Sequence, residues 1–418
     1  MLKKYYTVAS LLLVMILLGI TACAGSATQP VSTEKTLQVG CIMPFSGGAA
    51  LWGNSIRPGM ELYAQLINED GGIKIGNDTY KVNMIFKDGW EPAAAAAATR
   101  SLIYEDKVGF IVGYFGLGIA AVSQISNPEK VVLNMTTIGG PDPFPVNKSY
   151  VFYGYPVLEM MPYQAISMMK AFPQYHTLGW TGVEAGDSVH HSTFEAVDEK
   201  LLKDYGIKSV RVYYPQGTLN FTPYISKLAE QGVDAIFCVG SPIELALLAK
   251  QRYALGYKWP IGMASCQLDP NVIKGLVGNE EAMQNLVADF PCPWELKKVT
   301  VSPKYLDMAK RIWNKYRELN NKDLWMGAYG GACCNSMGQL FEVLEKAGTT
   351  DPDVVMSTLR GGTFDSFFGR YTLAGEKHFG SKSVFGNPCC MGIIKGMDIV
   401  YLGEYPFTNI DTDSFIEY

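Results

Sequence analysis

Short apolar runs alternate along the chain with segments whose apolar residues have helical spacing. The first apolar run covers 37–45, and a helix with one apolar face is predicted over 56–69. Further strands are predicted over 81–86, 108–113 and 131–135, and further helices over 93–104 and 119–126. Because this alternation is typical of parallel strands covered by helices, the first part of the chain is predicted to form an α/β lobe.

A second series of the same kind follows a break at Pro141, Pro143 and Pro145. Its predicted strands cover 176–181, 209–214 and 233–240, and its predicted helices cover 188–205, 222–231 and 243–255. The two series predict two similar lobes. Since parallel sheets bind ligands beyond the carboxyl ends of their strands, the turns 46–53, 113–118 and 135–140 are the candidate binding segments.

The N-terminus has the pattern of an export signal. Lys3 and Lys4 precede an apolar run over 7–20, which is shorter than the roughly 20 residues of a membrane-spanning helix. The string LGITAC (18–23) resembles a bacterial lipobox, in which Cys23 would carry the lipid; the alternative is an ordinary secretory signal with a chance cysteine. The sequence therefore predicts a signal peptide over 1–22, a flexible tether over 23–35, and a lipid-anchored protein facing the periplasm or the cell exterior.

Composition excludes several classes of protein. The 48% hydrophobic and 18% charged fractions exclude general disorder, and the single long apolar run excludes a polytopic membrane protein. Removing 1–22 takes away two lysines, which leaves 33 cations against 40 acids and a mature charge of −7. An acidic chain argues against a nucleic-acid partner.

The cysteines and histidines predict no cofactor and no metal. Cys41 and Cys238 lie inside apolar runs, which favours buried free thiols, although export leaves disulfides as the alternative. The doublets 333–334 and 389–390 lack the spacing with which two thiolates hold one zinc ion. His190 and His191 are adjacent and would point in different directions on a helix.

Several strings resemble a known family. They are VGCIMPFSGGAALWGNSIRPGMELYAQLINEDGGI (39–73), KDGWEPAAAAAATRSLIYEDKVGFIVG (87–113), VLNMTTIGG (132–140) and, more weakly, FGRYTLAGEKHFG (368–380). They resemble the branched-chain amino-acid-binding proteins, which are type I substrate-binding proteins of ABC importers. The resemblance implies two doubly wound, Rossmann-like α/β lobes joined by a three-crossing hinge. Lobe 1 would comprise 36–153 and 291–369, and lobe 2 would comprise 154–290 and 370–418.

The resemblance also implies a ligand site on lobe 1. Trp52 matches an aromatic residue that covers the ligand side chain. Leu117 and Gly118 fall where the family holds the ligand carboxylate with a serine, so this anchor would depend on backbone N–H groups and hydroxyls. The remaining lobe-1 positions of the implied site are Phe115, Met135, Thr136, Thr137 and Tyr329.

The implied site differs from the family pattern on lobe 2. Ser265 and Cys266 occupy the segment in which the family places an acid against the ligand ammonium. Either Glu184 or Asp187 supplies that charge, or the ligand has no free ammonium, because an unpaired buried ammonium is strongly unfavourable. The aromatic residues at the site favour an apolar or aromatic ligand that carries a carboxylate or amide.

These observations predict a monomeric, non-enzymatic receptor that delivers a small organic ligand to an ABC permease by closing its two lobes. The ligand is either amino-acid-like or an apolar or aromatic carboxylate or amide. The alternative is a sensory receptor of the same fold, which would pass its closed state to a sensor kinase or chemoreceptor.

Overall fold

The computed structural model describes most of the chain beyond the predicted export signal. The described residues are 35–114, 116, 118–136, 149–154, 157–184, 202, 205–263, 270–289, 302–321, 328–367, 369–374, 384–385 and 389–405. The predicted signal peptide, Cys23 and all of the tether except residue 35 therefore lie outside the described residues. Within the described part, no helix combines the length and apolarity that a membrane crossing requires.

Strands and helices alternate through most of the described chain. The strands are β1 (Lys35–Met43), β2 (Ile73–Ile75), β3 (Asp78–Asp88), β4 (Phe110–Tyr114), β5 (Val132–Met135), β6 (Val151–Tyr153), β7 (Thr177–Val183), β8 (Lys208–Tyr214), β9 (Ala235–Val239), β10 (Ile261–Met263), β11 (Leu286–Asp289), β12 (Thr363–Ser366), β13 (Gly369–Ala374), β14 (Val384–Phe385), β15 (Cys389–Lys395) and β16 (Asp398–Tyr405). The α-helices are α1 (Ala50–Glu69), α2 (Pro92–Arg100), α3 (Ile119–Ser126), α4 (Val157–Ala171), α5 (Thr222–Glu230), α6 (Pro242–Ala254), α7 (Pro270–Val277), α8 (Pro303–Asn320), α9 (Ala328–Ala347) and α10 (Pro352–Gly361).

The described strands form two mainly parallel sheets, which confirms the predicted two-lobed α/β fold. The first sheet has nine described strands in the order β12-β13-β14-β6-β5-β4-β1-β3-β2. In it β1 pairs in parallel with β3 and β4, and β5 pairs in parallel with β4 and β6. The second sheet has seven described strands in the order β16-β15-β11-β10-β9-β7-β8. Its β7 to β11 strands pair in parallel, and β15 and β16 extend it as an antiparallel hairpin.

The crossings between the sheets explain how the lobes are interleaved. The chain leaves the first sheet after Tyr153, since α4 packs on β15 and β16 of the second sheet. It returns between Asp289, the end of β11, and α8, which packs on α1. The predicted third crossing at 369 is wrong, because β13 and β14 still belong to the first sheet. Val384 pairs in parallel with Tyr153, so this crossing lies between 385 and 389.

The first helix begins earlier than its pattern predicts. It starts at Ala50 instead of 56, so Pro58 lies in its interior, where it lacks the N–H of a regular helical hydrogen bond. The six added residues include Trp52 and Gly53, and both are buried. Burial of this first turn against the lobe core offsets the unfavourable proline, a tertiary effect that periodicity does not reveal.

The predicted core thiols are confirmed wherever the structure describes their side chains. Cys41 and Cys238 are fully buried, and so are Cys333 and Cys334; all four are free. Burial raises the pKa of each of these thiols, which keeps them protonated and unreactive.

A buried cation joins the elements at the amino ends of the second sheet. The Arg252 side chain on α6 is only 2% exposed. Its guanidinium donates to the carbonyl of Trp259, to that of Ala282 at 2.7 Å and to that of Gln284 at 3.3 Å. Burial lowers the pKa of Arg252 to about 10, so the charge persists at physiological pH. Arg252 therefore fixes the segments that lead into β10 and β11.

Replacing Arg252 with methionine is expected to lower the free energy of unfolding by about 2–4 kcal/mol, because the carbonyls lose charged donors and are left buried. Urea denaturation followed by circular dichroism measures this loss. Arg100→Met, at an exposed position of α2, is the matched control and should change stability by less than about 0.5 kcal/mol. Equal stability of the two variants would contradict the role of Arg252.

Candidate functional site

The candidate site lies at the carboxyl ends of four neighbouring strands of the first sheet. These strands are β3, β1, β4 and β5, which end at Asp88, Met43, Tyr114 and Met135. We call these four strand ends and the turns that follow them the carboxyl edge. In a parallel sheet this edge presents turns and helix N-termini to a ligand, so residues far apart in sequence meet here.

Two tryptophans lie together at the carboxyl edge. Trp52 is in the first turn of α1 and is 7% exposed, and Trp90 follows β3 and is half-buried. Their ring centroids are 5.5 Å apart and the rings are tilted by 43°. The partly exposed Trp90 ring is thus backed by the buried Trp52 ring, and planar groups pack favourably on such rings. The structure thus places Trp52 at the carboxyl edge, and its role in ligand binding stays a prediction. Trp90 lies beside it. Sequence reasoning did not single out Trp90, although its position just after a predicted strand was an available signal.

A glycine lets the first turn of α1 reach this position. A Cβ atom on Gly53 would lie 2.0 Å from the carbonyl oxygen of Pro44, in the segment that leaves β1. No other residue fits this approach without displacement of the backbone. Gly53 therefore sets the position of its neighbour Trp52 relative to β1.

The carboxylate of Asp88 holds the turn between β1 and α1. It accepts hydrogen bonds from the backbone N–H of Phe45 at 2.7 Å and from the hydroxyl of Ser46 at 2.5 Å. Partial desolvation opposes ionisation, but these bonds, together with backbone N–H donors of Ser46 and Gly89, lower the pKa of Asp88. Asp88 was also missed by sequence reasoning; the link joins residues more than 40 positions apart.

A hydrogen bond to the buried phenol of Tyr114 holds the turn after β4. The Tyr114 hydroxyl accepts the backbone N–H of Gly118 at 2.9 Å, and burial raises the pKa of Tyr114, so the phenol stays protonated. In this arrangement the predicted Gly118 donor is already used inside the protein. Phe115 and Leu117, the other predicted residues of this turn, lie outside the described residues.

The turn after β5 begins with fully buried groups. Met135 is inaccessible, and the backbone N–H of Thr136 donates to the Tyr114 carbonyl at 3.0 Å. The Thr136 hydroxyl lies 3.4 Å from the same carbonyl and 3.5 Å from the Cys333 sulfur. A ligand contact by this hydroxyl stays a prediction, and it requires these internal contacts to be exchanged. Thr137 lies outside the described residues.

The predicted residues on the second lobe, and Tyr329 on the first, are less fully placed. Glu184 follows β7 and is exposed. Asp187, Ser265 and Cys266 lie outside the described residues, and Tyr329 lies in the first turn of α9 without a described side chain. The structure therefore brings none of these side chains into contact with Trp52 within its described part.

A polar cluster at the ends of β8 and β9 was not predicted. The Tyr214 hydroxyl lies 3.8 Å from the Cys238 sulfur, and burial together with the nearby Cys238 and Glu244 raises the pKa of Tyr214. The Glu244 carboxylate accepts the backbone N–H of Ser241 at 2.5 Å, as part of a capping box at the start of α6. Its hydrogen-bonding capacity is thus partly used in holding the helix.

Replacing Asp88 with asparagine is expected to lower the melting temperature at neutral pH, because the charged acceptor of the 45–46 turn is lost. The folded-state pKa of Asp88 lies below its unfolded value of about 3.9, so its ionised form stabilises the protein above that pH. This contribution is lost as the pH falls through the folded-state pKa. Differential scanning fluorimetry of both proteins between pH 7 and pH 3 measures the gap; a gap that grows on acidification would contradict this role.

In the described part of the chain, no group of three or more histidine, cysteine, aspartate or glutamate side chains is arranged to hold a metal ion. The described edge holds an aromatic pair, turns tied down by hydrogen bonds, and buried hydroxyls. These features hold turn geometry but supply no nucleophile paired with a general base.

Known proteins resemble this chain over most of its length. A family model described as periplasmic binding protein matches residues 36–385. The leucine-, isoleucine-, valine-, threonine-, and alanine-binding protein of Pseudomonas aeruginosa is 22% identical over 364 residues, which cover 82% of this chain and 87% of that protein.

Solved structures share the fold. The branched-chain amino acid transporter substrate binding protein LivJ from Streptococcus pneumoniae, in complex with isoleucine, superimposes with a TM-score of 0.70 at 18% identity, covering 89% of this chain and 99% of that one. An ABC transporter solute binding protein from R. palustris, in complex with benzoate, gives a TM-score of 0.64 at 15% identity, covering 91% of this chain and all of that one.

Proposed function

The chain belongs to the periplasmic binding proteins, in their branched-chain amino-acid-binding family, and from that premise we propose that it is an exported receptor that captures a small organic ligand for an ABC importer. The proposed ligand is an apolar or aromatic molecule with a carboxylate or amide group. The observation that carries this ligand class is the pairing of Trp52 with Trp90 at the carboxyl edge.

The aromatic pair favours a flat or bulky apolar group over a small aliphatic one. Aromatic rings gain additional stabilisation from tilted or offset contacts with one another, beyond the area they bury. Solved structures of the same fold contain isoleucine in one case and benzoate in another, so the fold accommodates both aliphatic and aromatic carboxylates. A second tryptophan beside Trp52 supports the aromatic choice for this chain.

Two described acids after strands of the second lobe, Glu184 and Glu244, favour a ligand without a free ammonium. Glu184 is exposed to water, and the Glu244 carboxylate is hydrogen-bonded within its helix cap. A bound ammonium without a close carboxylate would be desolvated at a cost of several kcal/mol. Asp187 remains the alternative counter-charge for an amino-acid-like ligand.

The proposed mechanism is an equilibrium between open and closed lobes. The ligand first binds the carboxyl edge of lobe 1, and lobe 2 adds its contacts only on closure. Because the ligand interacts more favourably with the closed form, it shifts the population toward that form. An ABC permease would recognise the closed pair of lobes, and no covalent bond is made or broken.

Membrane attachment through lipidated Cys23, followed by the 23–35 tether, would keep the receptor close to its permease. A monomer suffices for this role, and the acidic chain has no nucleic-acid partner in the proposal.

Globomycin treatment of cells that produce the full chain tests the anchor: the unprocessed precursor should accumulate, whereas normal processing would point to an ordinary secretory signal.

Isothermal titration of the mature chain tests the ligand class directly. Benzoate, 4-hydroxybenzoate and phenylacetamide represent the proposed class, and L-isoleucine, L-leucine and L-valine represent the amino acids. We expect saturable one-to-one binding of at least one aromatic probe. Binding of the aliphatic α-amino acids alone would overturn the proposed ligand class while leaving the receptor function intact.

Replacing Trp52 with alanine is expected to weaken binding of the best aromatic probe about tenfold to a hundredfold, because the ring surface under the ligand is removed. Trp259→Ala is the matched control, since Trp259 stacks on Tyr257 at 4.1 Å in the segment before β10, at the opposite ends of the strands. Titration calorimetry measures both variants. Unchanged affinity of the Trp52 variant would remove this residue from the site.

Replacing Trp90 with leucine is expected to reduce affinity for aromatic carboxylates more than affinity for aliphatic carboxylates of similar volume. Trp90→Phe keeps an aromatic ring and should retain most of the preference. The ratio of dissociation constants for benzoate and hexanoate measures this effect. An equal loss for both probes in the leucine variant would show that Trp90 supports the turn without selecting the ligand.

A further inference from the structure

Two buried amide side chains hold the backbone at the first crossing between the lobes. Gly154 follows β6 of the first sheet and precedes α4, which packs on the second sheet. Asn134 on β5 is 1% exposed and Gln339 on α9 is fully buried. Both amides contact Gly154, although Gln339 is 185 residues away in the sequence.

The hydrogen bonds engage both polar groups of the Gly154 residue. Its N–H donates to the Asn134 Oδ1 at 3.1 Å, and its carbonyl accepts from the Gln339 Nε2 at 3.1 Å. The two side chains are joined to each other, since Asn134 Nδ2 donates to Gln339 Oε1 at 3.0 Å. Asn134 Nδ2 also donates to the Ser336 carbonyl at 3.0 Å, which ties the group to α9. We call Asn134, Gln339 and Gly154 the amide clamp.

The clamp requires glycine at the crossing. A Cβ atom on residue 154 would lie 2.3 Å from both Asn134 Oδ1 and Gln339 Oε1, so any side chain there would displace the two amides from their present positions. Breaking one of these hydrogen bonds is unfavourable, because it leaves a buried polar group without a partner and without water. The crossing is therefore held in one geometry relative to β5 and α9.

The clamp also adjoins the candidate site. Asn134 immediately precedes Met135 and the Thr136 turn, and the N–H of Gly154 donates to the Met135 carbonyl at 2.9 Å. On α9, Cys333 contacts the Thr136 hydroxyl, and Gln339 lies less than two turns further along. The turn proposed to bind the ligand and the crossing that connects the lobes thus share β5 and α9 as supports.

We propose that the amide clamp is the pivot of lobe closure, and that Asn134 and Gln339 act as positioning residues that set the open–closed equilibrium without touching the ligand. With the crossing fixed at Gly154, the second lobe moves as a body about this point. Loss of the clamp increases the conformational freedom of the open form. Closure then costs more conformational entropy, so the ligand binds more weakly. The inference rests on the proposed receptor function for its ligand-dependent part only.

The direct test measures the distance between the lobes without ligand. Spin labels are attached through non-canonical amino acids, which avoid the native thiols, at exposed Asn54 on lobe 1 and exposed Gln216 on lobe 2. Gln339→Met removes the donor to the Gly154 carbonyl at nearly constant volume. Ile312→Val is the control for a general loss of stability, because Ile312 is fully buried on α8, a helix that contributes no residue to the clamp.

We expect double electron–electron resonance to show a broader interlobe distance distribution for Gln339→Met than for the wild type, and an unchanged distribution for Ile312→Val. Equal widths for Gln339→Met and the wild type would overturn the proposal.

Hydrogen exchange of the wild-type chain provides a test that needs no variant. The Gly154 amide should exchange as slowly as those of β6, and fast exchange would show that no clamp forms in solution.

Titration with the best-binding probe from the ligand screen gives the functional readout. The dissociation constant should rise about tenfold in Gln339→Met and stay within about twofold in Ile312→Val. A broadened distance distribution with unchanged affinity would overturn the coupling of the clamp to binding. If no probe binds the wild type, the ligand class fails, and the ligand-free distance measurement still decides the pivot.

Discussion

The parallel pairing of strands within each lobe is the constraint on which the rest of the structure depends. Because β3, β1, β4 and β5 run in the same direction, their carboxyl ends meet at one edge and their connecting helices must cover the faces. This pairing brings Trp52 and Trp90 together and places the Thr136 turn beside Tyr114. The ligand site proposed here is a direct consequence of strand direction.

Local patterns predicted much of the fold. Alternating apolar runs and helical spacing located seven of the sixteen described strands (β1, β3, β4, β5, β7, β8 and β9) and five of the ten described helices (α1, α2, α3, α5 and α6). Buried runs correctly identified Cys41 and Cys238 as core thiols. Family strings supplied the two-lobed architecture that the comparisons support. What local patterns could not supply was the early start of α1, where tertiary burial overrides Pro58, and the third crossing, where β14 pairs with a strand more than 200 residues away.

The candidate site was predicted only in part, for a physical reason. Trp52 was found through a family position, whereas Trp90 and Asp88 act through contacts between turns that only the folded sheet brings together. The same holds for Gln339, whose role depends on Gly154. A position after a predicted strand marks Trp90 as near the sheet edge, but nothing local in the sequence shows which turn residue it contacts. Thr136 shows the reverse case: its residue type suggested a ligand hydroxyl, yet in the structure that hydroxyl contacts Tyr114 and Cys333.

As the proposed receptor, the chain holds one small organic ligand between its lobes. Native mass spectrometry of the mature chain, purified without denaturation from its own cells, tests this most directly. We expect one bound molecule per chain, identified after release as an apolar or aromatic carboxylate or amide. A bound polar sugar or nucleotide, or a molecule that the chain converts chemically during incubation, would contradict it.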